Sequence, residues 1–165
     1  MSAVQVAFVR LAVVYLFGTG ALGLWFLIDP SWAWAFRTTH VHAGVLGFFL
    51  SLVMGVAFWL LPRPGGVRTP RIEAWTLALF HGGLAVRTVL EPWLRLGSAP
   101  TFAEPLLWAS GAINLAGIAL FAGSVWGRAR TPEELRRARE RRNRTPVVAS
   151  DRDAPSTSDG AGRSR

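Results

Sequence analysis

Thr39-His40-Val41-His42-Ala43-Gly44-Val45-Leu46-Gly47-Phe48-Phe49 opens an apolar run that continues to Leu61. From His40 onward the run is close to the ~20 residues that a helix needs to cross a hydrocarbon core. Two of the chain's three histidines stand at its mouth. Ionisable or metal-binding side chains are costly to keep at such a place, so they invite a functional reading.

Three more apolar blocks flank this one, and together residues 4–28, 40–61, 72–90 and 102–126 read as transmembrane helices. The chain is 51% hydrophobic, and these residues are collected into blocks rather than spread in short amphipathic runs, which argues against a soluble bundle. The first block is too long, and lacks a small-residue cleavage site behind it, to be a removable signal peptide. The expected fold is therefore all-α: an integral membrane four-helix bundle over residues 1–127.

Every basic residue is arginine. Arg63, Arg68 and Arg71 lie in the second connection, and a dense run extends from Arg128 to Arg144. The first and third connections carry only Arg37 and Arg95, beside Asp29, Glu91 and Glu104. This bias places both termini and the middle connection in the cytoplasm of a bacterial-type inner membrane, with His40 and His42 toward the outer side. The absence of cysteine excludes disulfides, thiolate metal sites and covalent c-type haem attachment.

Gly18, Gly20 and Gly23 suggest close helix approach by the first helix, and Ser110, Asn114 and Gly117 share one face of the fourth. Asp29-Pro30 and Glu91-Pro92 read as outer-face helix ends. Thr131-Pro132-Glu133-Glu134 starts a basic cytoplasmic helical extension, residues 128–144, whose simplest partner is anionic lipid head groups rather than nucleic acid. Residues 145–165 carry little apolar content beyond Val147 and Val148 and read as disordered.

His40 and His42 are two apart, about 200° of helix rotation, so they cannot both face one metal unless the helix starts between them. Either could ligate haem iron from an inward-facing position, or both could be interface residues satisfied by water and head groups. His-x-His-Ala-Gly-Val-Leu-Gly-Phe-Phe, then Gly55 and Trp59-Leu60-Leu61-Pro62, resembles the second transmembrane helix of subunit I of haem-copper oxidases and nitric oxide reductases. The resemblance is concentrated in residues 38–62. It implies that a histidine at the outer end of this helix, His42 or its rival His40, is an axial ligand of a b-type haem. The chain lacks a His-Pro-Glu-Val-Tyr stretch and a His-His pair. The resemblance therefore implies electron transfer, haem handling or gas sensing within a respiratory-type system, not oxygen reduction. A haem-free scaffold or accessory subunit is the alternative.

His81 is the remaining histidine, but it lies roughly 15 Å deeper than His42 by helix rise, too far for both to hold one upright haem. One protein ligand, or a histidine from each chain of a homodimer or respiratory partner, are the ways to complete such a site. A His81–Asn114 hydrogen bond is the bland expectation for His81. Arg87 either pairs with Glu91 at i+4 or holds a haem propionate, and both are compatible.

Overall fold

The computed structural model describes residues 2–61 and 70–126, together with residues 133, 136, 137 and 140. Its body comprises four helices: α1 (Ala3–Ile28), α2 (Pro30–Leu60), α3 (Pro70–Arg95) and α4 (Ala103–Trp126). No strand occurs among the described residues. The basic extension and the tail lie largely outside them. Glu133, Arg136, Arg137 and Glu140 are helical, and Arg136 Nε pairs with Glu140 Oε1 at 3.1 Å, one turn on.

α1 opens on a capping box in which Ser2 and Gln5 satisfy each other's backbone N–H groups. It closes at Ile28, where the Asp29 N–H still bonds the Trp25 carbonyl. The same Asp29 accepts from the Ser31 N–H, and Pro30 takes the first position of the next helix. Asp29-Pro30 is thus a start as well as a stop, and α2 begins ten residues before His40. His40 and His42 are therefore not at the mouth of a helix but within a continuous one. Residues Ala43–Leu50 of α2 are wound as a π-helix, which begins directly after His42. Such wide turns are rare and occur often at functional sites.

The expected stop at Glu91-Pro92 is also corrected. α3 runs on to Arg95 with Pro92 inside it. Proline has no N–H to give the Thr88 carbonyl, so one bond of the ladder is lost, but the helix continues beyond it, and the Pro92 carbonyl accepts from Leu96.

α1, α2 and α4 are long and apolar enough to cross a membrane; α3 does not reach that hydropathy. The reason is its polar content, with Glu73, His81 and Glu91 all buried. α3 packs against each of the other three helices, and most extensively against α4. It can keep polar groups because its neighbours, rather than the surroundings, cover them.

Of the three glycines of α1, Gly23 meets a neighbour closely, the His40 ring of α2; the other close approaches lie elsewhere. Gly18 and Gly20 face open space. Gly47 of α2 sits against the Tyr15 ring, and Gly55 against Phe8. Between α3 and α4, a Cβ on Gly83 would lie 2.5 Å from the Ser110 carbonyl oxygen, and one on Gly117 2.7 Å from the Phe80 nitrogen. Ser110, Asn114 and Gly117 do form the seam of α4. The core itself is Phe8, Met54, Phe58 and Phe80, drawn from α1, α2 and α3.

Candidate functional site

The polar centre of the bundle is built where α2 crosses the C-terminal part of α3. Arg87 and Glu91 stand one turn apart, on one face of α3. The Glu91 carboxylate accepts from Arg87 Nε through Oε1. It also lies against the His42 ring, with Oε1 2.9 Å and Oε2 3.0 Å from Nδ1. Glu91 is 6% exposed, so these two residues replace much of the water it would otherwise hold.

A carboxylate accepts, so the proton between Glu91 and His42 belongs on Nδ1. In the neutral ring that leaves Nε2 with its lone pair. Nε2 makes no hydrogen bond among the described residues and is not among their buried unpartnered atoms. A histidine held through Nδ1 by a carboxylate is the usual posture of a metal-ligating imidazole. Nevertheless, no group of three or more histidine and acidic side chains gathers to hold a bare metal ion among the described residues.

Arg87 has donors to spare. Its Nη1 reaches toward α4, 3.7 Å from where a Gly111 Cβ would stand. It lines an open groove of about 540 Å³ with Leu107, Trp108 and Leu115. Glu91 lines a second concavity, of about 320 Å³, with Thr38, Leu94 and Arg95, and Leu107 lines both. Arg95 donates to the Thr38 hydroxyl at 3.4 Å.

The other two histidines point elsewhere. His40 turns to α1: the Thr19 hydroxyl donates to its carbonyl at 2.8 Å, and its ring meets Phe26 edge-on. Gly23 makes room for it, since a Cβ there would lie 3.3 Å from the His40 ring. So His40 and His42 diverge as a two-residue separation on a helix requires.

His81 lies ten residues from Glu91 along α3, about 15 Å of helix rise. Ser51 donates its hydroxyl proton to the Phe8 carbonyl at 3.0 Å and therefore accepts from His81 Nε2 at 3.1 Å. His81 Nδ1 is buried without a partner. The ring stacks on Tyr15 and meets Phe8 and Phe80 at an angle. The expected His81–Asn114 bond is not made: Asn114 Nδ2 donates to the Phe80 carbonyl at 2.7 Å instead. The side chain of His81 faces α1 and α2, whereas α4 packs on another side of α3.

A second polar cluster lies at the opposite end of the bundle. Gln5 Nε2 donates to the Phe58 carbonyl at 3.1 Å and to Glu73 Oε2 at 3.2 Å, and the Ser2 hydroxyl reaches the same carboxylate. It ties α1, α2 and α3 together.

Glu91 as the partner of His42 was the residue that sequence reasoning missed. The signal was present in the spacing: His42 from Leu61 and Glu91 from Ile72 are each nineteen residues, about 28 Å of helix rise, from the same side. No protein-family model, curated protein or solved structure matches this chain.

Proposed function

We propose that the chain is an inner-membrane protein that binds b-type haem near its outer face, with His42 as an axial ligand. The observation that carries this reading is the His42 ring, turned into the bundle, held at Nδ1 by a buried carboxylate and free at Nε2. The donor chemistry fits a haem iron. Haem, when bound, supplies a one-electron couple and an open or exchangeable iron coordination site for a small gas. The residues of the chain would do the rest. His42 would hold the iron, Glu91 would fix the ring, and the Nη groups of Arg87 would be donors for a propionate carboxylate. The divergence of His40 toward α1 and the depth of His81 favour His42 over both as the ligand. The role is electron transfer, haem handling or gas sensing, as the resemblance of residues 38–62 implies.

In this reading all four helices cross the bilayer, and α3 does so behind the apolar surfaces of α1, α2 and α4. Both termini face the cytoplasm, in accord with the arginine bias, and the basic extension rests on anionic lipid head groups. His42 would be the one ligand supplied by this chain, and a second copy of the chain or a respiratory partner would supply any other.

One observation favours a second reading. The concavities of about 540 and 320 Å³ are lined by Arg87 and Glu91, but by neither His42 nor His40. A haem-free scaffold or accessory subunit, with His42, Glu91 and Arg87 as a structural network, would account for that. The test is the absorption spectrum of the protein purified after expression with added haem precursor. A Soret band with reduced α and β bands, and a haem content near one per chain or per dimer, supports haem binding. Colourless protein supports the scaffold.

A further inference from the structure

We infer that α3 and α4 hold between them one anionic phospholipid of the outer leaflet, with an acyl chain along α4 and its polar region on Arg87 and Arg95. This rests on the membrane-spanning reading and is independent of haem.

The path for the acyl chain is the open groove of about 540 Å³. On its α4 wall Leu107, Gly111, Leu115 and Ile118 follow one another at spacings of four, four and three, so they form one stripe along the helix. The stripe is about 16 Å long by helix rise. Leu115 is 64% exposed and Trp108, beside it, 76%, so no helix among the described residues covers this wall.

An apolar stripe alone does not choose an occupant; the donors at its outer end do. The Nε of Arg87 is taken by Glu91, and Nη1 stands on the α4 side, where Gly111 supplies no side chain. Neither Nη group has an acceptor among the described residues. Such N–H groups are costly to leave unpaired where water is scarce. The second concavity adjoins the groove at Leu107 and carries Arg95, two turns further out on α3. Arg95 makes one long hydrogen bond, to Thr38, and has further donors to give. Glu91 is the one acid among the described lining residues, and Arg87 and His42 already hold it. Two guanidinium groups and one carboxylate leave one positive charge in excess. A glycerophospholipid presents its acceptors in the matching order along the membrane normal. Its ester oxygens, at the top of the acyl chains, meet Arg87, and its phosphate, further out, meets Arg95. A net negative lipid balances the lining, whereas a zwitterionic one brings an ammonium group for which no uncommitted carboxylate stands ready.

The experiment is native mass spectrometry of the full-length protein released from nanodiscs of equal parts phosphatidylglycerol and phosphatidylcholine. The parent should retain one phosphatidylglycerol that R95Q and R87Q hold roughly tenfold less well, the loss of one charge-assisted contact. R37Q removes an exposed arginine that lines neither concavity and should retain it, which separates this site from lipid drawn by charge alone, at the basic tail included. G111L leaves every charge in place and fills the groove. A Cβ there meets only Arg87 Nη1, at an ordinary 3.7 Å, so the helix pair tolerates it, and this variant should lose the lipid too. Parental retention by either R95Q or G111L overturns the inference, as does equal retention of phosphatidylcholine, or a second copy of the chain in place of the lipid. If R87Q fails to fold, R95Q and G111L decide. A parent chain that partitions into the aqueous layer on detergent phase separation overturns the membrane reading itself, and this site with it.

Discussion

Gly82 and Gly83 are neighbours in α3, yet a methyl group on each would meet different surroundings. At Gly82 nothing lies within 4 Å. At Gly83 a Cβ would stand 2.5 Å from the Ser110 carbonyl oxygen, 2.7 Å from the Asn114 nitrogen and 3.0 Å from the Asn114 Cβ. Two of these atoms belong to the backbone of α4 and cannot rotate away. To restore ordinary contact, α3 and α4 would have to separate by about 1 Å, a movement of the kind that costs 1–3 kcal/mol in packed interiors. The same movement stretches the 2.7 Å bond from Asn114 Nδ2 to the Phe80 carbonyl toward the limit of hydrogen bonding. Loss of that bond adds about 1 kcal/mol. Both substitutions gain up to about 1 kcal/mol of helix propensity. Subtracting one variant from the other removes this shared gain. Gly83→Ala should thus be less stable than Gly82→Ala by about 2–4 kcal/mol. Reversible unfolding in mixed micelles, followed by far-ultraviolet circular dichroism, measures the difference. Equal stability of the two variants would refute the α3–α4 seam.

Other outcomes follow from the same structure. Arg87→Ala leaves the Glu91 carboxylate with His42 alone and should destabilise the bundle by about 2 kcal/mol, whereas the Arg87→Ala/Glu91→Gln double variant should recover part of that loss because no buried charge is left behind; denaturant unfolding of the four-member cycle checks this. Asn114→Ala removes the donor to the Phe80 carbonyl and should cost about 1 kcal/mol, read from the same unfolding assay. The hydroxyl and backbone N–H of Ser31 hold the Asp29 carboxyl below its usual range. A depressed carboxyl stabilises the folded state above its unfolded pKa, and this is lost as the pH falls through the lower folded value. The Ser31 amide resonance should therefore be constant near neutrality and move only in acid below the ordinary aspartate range, and this movement should vanish in Asp29→Asn.

The helices were legible because apolar blocks and their lengths are local properties of the chain. The ends were less so. Asp29-Pro30 carries the signals of both a stop and a start, and composition alone does not say that the next helix begins within two residues. Pro92 reads as a breaker, yet α3 gives up one ladder bond there and runs on to Arg95. The glycines of α1 drew attention by their number, whereas Gly47, Gly55, Gly83 and Gly117 matter by what faces them, which is a tertiary fact. The same distinction governs the site. The divergence of His40 and His42 follows from helix rotation, and the depth of His81 from helix rise. That His42 meets Glu91 needed the rotation of α2 about its axis, and an eight-residue π segment starting at the next position alters that rotation beyond what a regular period gives. Asn114 and His81 lie at similar depth but on different sides of α3, so depth alone paired them wrongly.

The central claim concerns a single imidazole, and a pair of substitutions tests it most directly. Reduced-minus-oxidised spectra should be recorded for His42→Ala and His40→Ala, each expressed with added haem precursor and purified alongside the parent. The account requires that the haem bands persist in His40→Ala and are lost from His42→Ala. Retention of unaltered bands in His42→Ala, or a parent protein without them, would contradict it.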